Sequence, residues 1–421
     1  MEKATSEPWN SGKKVLFRFL FIYLMLYVLP FPILSGNVND YTLWWMGPVS
    51  WTGKHLLGVD HEITVLRNGS GDQTFHYVQA FLFFLLALTG TIVWSAVDRK
   101  RPGYEKVYFW LTVYIRYYLA FTMMGYGFIK VFKTQFPFPF LGKLVQPVGE
   151  LSPMGLLWTF MGYSTAYNIF AGVGEVLGGI LLFFRRTTLL GALILFAVVT
   201  NVVILNFCYD VPVKLFSIHL LFMCLFLLAP NASRVWSFLV LNKATEAPPL
   251  QEVFTDRKKK IALVLVKVLL IASIVTMNIT TSLTTRQQLE VMEPKGVSYG
   301  GIYNVETFIL RGDTIPAILN NATRWKKVMV YHKDWSSIEY MDGAVINQRF
   351  ESDTAHNTIK IISSPSYAYS FNLYSLDKTR ILWKGLMGND SLKLVVRKQG
   401  FDDFLLINRG FHWINESPFN R

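Results

Sequence analysis

The sequence predicts a multi-pass α-helical membrane bundle followed by a soluble all-β domain, either a sandwich or a small barrel. Three observations carry this. Seven apolar stretches approach a bilayer span, which takes roughly 20 helical residues: 15–34, 76–97, 105–132, 165–184, 187–207, 213–230 and 261–283. The chain is 52% hydrophobic and 15% aromatic, with 16% charged residues and a mean hydropathy of +0.32, whereas soluble domains carry about 25% charged residues. After residue 285 the apolar runs give way to alternation. Such content excludes disorder. Two cysteines in 421 residues exclude a disulfide framework or a cysteine-rich metal centre.

The elements follow in order. Span one ends in Leu29-Pro30-Phe31-Pro32 rather than a small-residue cleavage site, so it reads as a retained span and not a signal peptide. Residues 41–57 hold Trp44, Trp45 and Trp51, the pattern of an interfacial segment at headgroup depth. The run Phe136-Pro137-Phe138-Pro139-Phe140 cannot be helix, and the apolar stretch 153–162 is too short to span. In the last third, segments 301–310, 326–332, 336–341, 344–350, 358–362, 368–375, 380–386 and 391–398 are separated by turn residues such as Asp342-Gly343 and Gly388-Asn389-Asp390. This spacing predicts eight mostly antiparallel strands. The aromatic tail Phe411-His412-Trp413-Ile414 is expected to pack against the rest. Four segments result: 1–103 with spans one and two and the outer amphipathic loop, 104–230 with four spans, 231–285 with a basic inner linker and the seventh span, and 286–421, the β domain.

Charge sets the orientation. The net charge of +13 is uneven, with 24 Lys+Arg against 14 Asp+Glu in 1–285 and 17 against 14 in 286–421. Basic residues gather at the ends of apolar runs rather than on a groove-reading motif, which excludes a nucleic-acid partner and makes the lipid bilayer the expected one. With the N-terminus cytoplasmic, the inner segments carry 15 basic residues and the outer loops four, a positive-inside pattern. The β domain then lies outside, in the periplasm if the membrane is a Gram-negative inner membrane.

Ionisable residues at bilayer depth are costly and need a partner or a purpose. Arg116 follows Lys106 by ten residues and Glu175 precedes Arg185 by ten, so each lies roughly 15 Å from the inner surface. An Arg116–Glu175 ion pair is expected, either as a structural clamp or as the wall of a substrate or quinone pocket. Lys130, Asn201, Asn206, Asp210, Lys214 and His219 collect in the outer half as the ligand-binding candidates. Pro212 lets span six start there, and Asp210 is placed to cap it. His219 is either a satisfied bundle residue or a proton-transferring group. Arg18 and Lys267 are expected to snorkel to the inner surface, and Cys208 and Cys224 are too far apart to bridge. His332, His356 and His412 are too scattered for a metal site. No metal is expected, and no catalytic constellation appears.

Span three carries Arg116 and Gly125-Tyr126-Gly127-Phe128-Ile129-Lys130. Span four carries Ala171-Gly172-Val173-Gly174-Glu175-Val176-Leu177-Gly178-Gly179, followed by Arg185-Arg186 and Gly191-Ala192. Over residues 104–230 this resembles the DoxX family of four-helix membrane proteins, with Arg116, Lys130 and Glu175 at the family's polar positions. The two preceding spans, the seventh span and the β domain resemble the larger DoxX-like proteins of the Bacteroidetes type. The resemblance implies a quinone-linked subunit of a membrane redox system, some relatives being tied to thiosulfate:quinone oxidoreductase, with quinone as the cofactor. The alternative is a non-enzymatic envelope protein whose periplasmic β domain binds a partner protein, a lipid or a glycan. A transporter is disfavoured, since no internal repeat is visible.

Overall fold

A computed structural model of the chain describes residues 8–29, 38–66, 68–246, 256–291, 299–332, 334–364 and 367–420. They form two compact units: Met1–Phe136 with Ser152–Leu283, and Pro137–Leu151 with Thr284–Arg421.

The first unit is helical: α1 (Ser11–Val28), α2 (Val38–Leu56), α3 (Thr74–Val97) and α4 (Glu105–Val131), then α6 (Pro153–Tyr163), α7 (Thr165–Leu182), α8 (Thr188–Cys208), α9 (Lys214–Leu228), α10 (Ala232–Leu239) and α11 (Arg257–Val291). A short α5 (Leu141–Val145) belongs to the other unit. Among the described residues, five helices are long and apolar enough to cross a membrane: Thr74–Val97, Thr165–Leu182, Thr188–Cys208, Lys214–Leu239 and Arg257–Glu290. They mark a membrane protein. The expected seven is reduced to five by this measure. The other two stretches are helices of similar length, but α1 contains Lys13, Lys14 and Arg18, and α4 contains Glu105, Lys106, Arg116 and Lys130. The proline-bounded exit of span one, from Pro30 on, lies outside the described residues.

Helix α4 packs on α7, α7 on α8, α8 on α9, and α9 back on α4, while α1 and α2 pack on α3. Small residues set the α4–α7 distance. A Cβ on Gly172 would stand 2.6 Å from the Gly127 carbonyl oxygen, and one on Gly127 would stand 2.8 Å from that of Gly172. The two backbones therefore touch, as small residues permit between membrane helices. Arg18 does not snorkel. It is buried, with its guanidinium donating to the Tyr104 hydroxyl at 2.7 Å, Ser95 Oγ at 2.7 Å and the Asp98 carbonyl at 2.9 Å. Phenol, hydroxyl and carbonyl together satisfy a charge that the inner surface was expected to hold.

The second unit is a closed antiparallel barrel. Its strands are β1 (Gly301–Leu310), β2 (Asp313–Thr314), β3 (Trp325–His332), β4 (Trp335–Tyr340), β5 (Val345–Asp353), β6 (Thr358–Ser364), β7 (Tyr367–Ser375), β8 (Arg380–Met387) and β9 (Asp390–Gln399). Each long strand pairs with the next, and β9 returns to β1, with β2 a two-residue addition beside β1. Eight long strands thus close the ring, which decides for the barrel over the sandwich. Alternation points Phe308, Trp325, Phe350, Phe371 and Trp383 inward, all nearly inaccessible. A barrel of this size is just wide enough to be filled by side chains, and here aromatic rings fill it. On the outside, Leu141 of α5 buries against Ile302, Met329 and Tyr331, so the segment between α4 and α6 belongs to the barrel. The tail departs from expectation: Phe411, Trp413 and Ile414 are 77%, 90% and 78% exposed.

Candidate functional site

The site grows from the α4–α7 seam. Because the glycines remove side chains there, the long side chains beside them meet inside the bundle. Lys130 Nζ donates to Glu175 Oε2 at 2.9 Å, with side chains only 9% and 2% exposed. The Lys130 ammonium also lies 5.6 Å from the centre of the Tyr126 ring, which in turn neighbours Phe216 of α9.

The expected Arg116–Glu175 pair is not formed. Arg116 Nε donates to the Leu182 carbonyl at 2.9 Å and Nη2 to that of Phe183 at 3.2 Å. It satisfies the carbonyls at the C-terminal end of α7, where a cation is favoured. The cause is register. Equating the depths of Lys106 and Arg185 placed Arg116 opposite Glu175, but Gly127 faces Gly172 and Gly179 faces Ala120. Helix α4 is shifted by eight residues, about two turns or roughly 12 Å, and Lys130 takes the place assigned to Arg116.

The other candidates do not form one cluster. His219 is buried, with Nε2 2.7 Å from the Tyr23 hydroxyl and Nδ1 2.7 Å from the Leu215 carbonyl. A carbonyl only accepts, so Nδ1 carries the proton and Nε2 accepts from Tyr23. The ring stacks on Tyr27 at 3.8 Å. It is a satisfied bundle residue. Asp210 is exposed and pairs with Lys214 at 2.7 Å, but it does not cap α9. That role falls to Asp72, whose carboxylate accepts from the backbone N–H of Lys214 at 2.8 Å and of Leu215 at 3.0 Å. Sequence reasoning missed Asp72, since it sits 142 residues away in the loop before α3. Its loop is fastened further by the Gly71 N–H on the Pro212 carbonyl at 2.8 Å. Asn201 faces outward on α8, while Asn206 is buried.

Beyond the pair, two tyrosine rings gather around His219. The Tyr23 ring lies 6.4 Å from the Tyr27 ring and 5.8 Å from the His219 ring, centre to centre. Lys267 lies 5.7 Å from the Phe184 ring. Cys208 and Cys224 are both free. Among the described residues no group of three or more His, Cys, Asp or Glu is placed to hold a metal ion.

These two units define a class: a multi-pass helical membrane protein carrying a closed eight-stranded β-barrel. The chain belongs to the same family as the uncharacterized protein YwoB of Bacillus subtilis (strain 168), to which it is 39% identical over 115 residues, 27% of this chain and 71% of that protein. No family model matches the chain, and no solved structure matches it.

Proposed function

We propose that the helical unit is a DoxX-like, quinone-interacting subunit of a membrane redox system, in a cytoplasmic membrane with the barrel on the outer side. The observation that carries this reading is the buried Lys130–Glu175 pair, since intramembrane ionisable residues mark functional sites. The donor set fits a quinone headgroup. Aromatic rings of Tyr126 and Phe216 line the place, and the Lys130 ammonium and Tyr126 phenol are donors beside it. Bound there, a quinone supplies reversible two-electron, two-proton chemistry. Lys130 would bind and orient a carbonyl oxygen, and Glu175 would hold the compensating charge and could take up or release a proton.

The test is mass spectrometry of small molecules extracted from protein purified in mild detergent. Stoichiometric quinone in the wild type that is lost in Glu175→Gln supports the reading. A protein that carries only phospholipid, unchanged in Glu175→Gln, makes the site a lipid contact instead. The barrel favours a second reading in which it binds an envelope partner, because its interior is filled with rings and any ligand must take its outside, where Phe411 and Trp413 are exposed. Under that reading Phe411→Ser/Trp413→Ser abolishes copurification of the partner and leaves the bound quinone content unchanged.

A further inference from the structure

One layer of the helical unit contains three side-chain amides, each with a buried polar atom that has no hydrogen-bond partner among the described residues: Gln135 Oε1, Asn168 Oδ1 and Asn206 Nδ2. Asn168 is fully buried and Asn206 is 5% exposed. They belong together. Gly172 meets Val131 across the α4–α7 seam and Gly174 meets Val198 across the α7–α8 seam. Gln135 follows the end of α4 at Val131 and turns back so that its N–H meets the Ile129 carbonyl at 3.1 Å, which keeps it at this end of the seam, where α7 carries Asn168. Counting eight residues outward from the second contact brings Asn206 to the same end of α7. A small apolar cluster joins the three: Phe136 follows Gln135, Met161 gives its carbonyl to Asn168 Nδ2 at 2.5 Å, and Val211 donates its N–H to the Asn206 carbonyl at 2.9 Å, and all three residues pack in one core.

The orientation of Asn168 is fixed, because its Nδ2 donates to two carbonyls, of Met161 and Ser164. Its Oδ1 therefore requires a donor. Leaving a buried polar atom unsatisfied costs about 1–3 kcal/mol, and three such atoms around one cluster call for a guest. Two acceptors and one donor match a water molecule, which donates twice and accepts at least once, as buried waters typically do. A metal cation would suit the two oxygens but face the Asn206 amide hydrogens. We infer that Gln135, Asn168 and Asn206 enclose a water site that opens the interior to the outer end of the bundle. Lys130 lies at its inner side, since the N–H of Gln135 returns to the Ile129 carbonyl at 3.1 Å. The site thus gives water, and with it protons, an approach to the Lys130–Glu175 pair. Only that last step rests on the redox reading; the hydration site does not.

Hydroxyl-radical labelling by X-ray radiolysis in detergent tests it, since radicals form from water beside the side chain. Met161 lines the site but is only 5% exposed, while Met124 and Met223 are fully buried in the same unit. The expected result is Met161 labelling several-fold faster than Met124 and Met223 in the wild-type protein, equally in sodium and potassium buffers. Asn168→Leu is expected to bring Met161 down to the rate of Met223, with Met277, exposed on α11, unchanged. Met161 as slow as Met223 in the wild type overturns the proposal, as does labelling that changes with the cation. If Met161 labels rapidly and no quinone copurifies, the water site stands and the redox reading falls.

Discussion

Neutralising Glu175 while Lys130 stays in place probes the interior most directly. The ammonium has the carboxylate at 2.9 Å and the face of Tyr126 at 5.6 Å, in surroundings where its side chain is 9% exposed. Glu175→Leu strands that charge, and breaking a buried pair costs about 3–5 kcal/mol. Lys130→Met strands the carboxylate in the same way, and either lone group limits its cost by neutralising, the carboxylate by gaining a proton and the ammonium by losing one. The double variant K130M/E175L removes both charges, an exchange that is often neutral or stabilising by about 1–4 kcal/mol. The double variant is therefore expected to be more stable than E175L alone. Unfolding in mixed micelles, followed for the four proteins of the cycle, measures the coupling. Arg116→Met is the control. Its guanidinium holds carbonyls of α7, so it adds its own cost to E175L. Two outcomes refute the reasoning: rescue of E175L by R116M, or single-variant costs that add to within about 0.5 kcal/mol, as for independent sites.

Other expectations follow from single contacts. Gly172→Ala drives a methyl to 2.6 Å from a backbone oxygen and is expected to cost about 1–3 kcal/mol as overpacking. Gly174→Ala meets only Val198 Cγ2 at 3.4 Å and gains helix propensity of up to about 1 kcal/mol; melting of both variants in detergent must show opposite signs. Asp72→Ala is expected to lose about 0.5–2 kcal/mol as a missing helix cap, with Asp210→Ala near neutral, and equal losses would return the cap to Asp210. In the barrel, burial raises the Glu339 carboxyl, but hydrogen bonds from Lys326 at 2.6 Å and Lys327 at 2.9 Å outweigh it and lower its pKa. Stabilisation from Glu339 is thus present above the unfolded value of about 4.3 and is lost as pH falls through the lower folded one. Acid titration by near-ultraviolet circular dichroism is expected to show a shallower acid limb in Glu339→Gln, and superimposable limbs would count against the pairing.

The barrel strands were the most legible part, because period-two alternation and turn residues are local signals. The closing β9–β1 pair was not, since Leu392 and Leu310 are in register across 82 positions of chain. In the membrane unit the polar residues Lys130, Glu175, Arg116 and His219 were all recognisable as costly to bury. Their partners were not, because apolar helices slide past one another without changing composition. Contacts such as those at Gly127, Gly172 and Gly179 fix the register, and those glycines were visible as small residues without their opposites being known. Asp72 went unrecognised for the same reason, since a cap supplied from a distant loop leaves no mark beside the helix it caps. The aromatic tail failed differently: apolar content argued for burial, yet Trp413 is 90% exposed.

The segment 137–151 changes how the barrel has to be removed in any experiment. Sequence composition draws the boundary after the last span, yet Leu141 of α5 is fully buried against Ile302, Met329 and Tyr331, with Phe401 and Phe404 packed around it. The chain therefore passes into the barrel unit at Pro137, returns at Ser152 and passes again at Thr284. Deleting 286–421 strips that cover from Leu141 and Val145, and fully exposing a Leu or Val side chain forfeits about 1.5–3 kcal/mol of burial. Such a deletion is expected to aggregate or to sit on detergent at 141–145, whatever the helices do. Replacing 137–151 with a short polar loop in the same variant is expected to restore a monodisperse helical unit by size-exclusion chromatography. If the plain deletion is already as monodisperse as the repaired one, α5 contributes nothing to the barrel and the boundary belongs where composition first drew it.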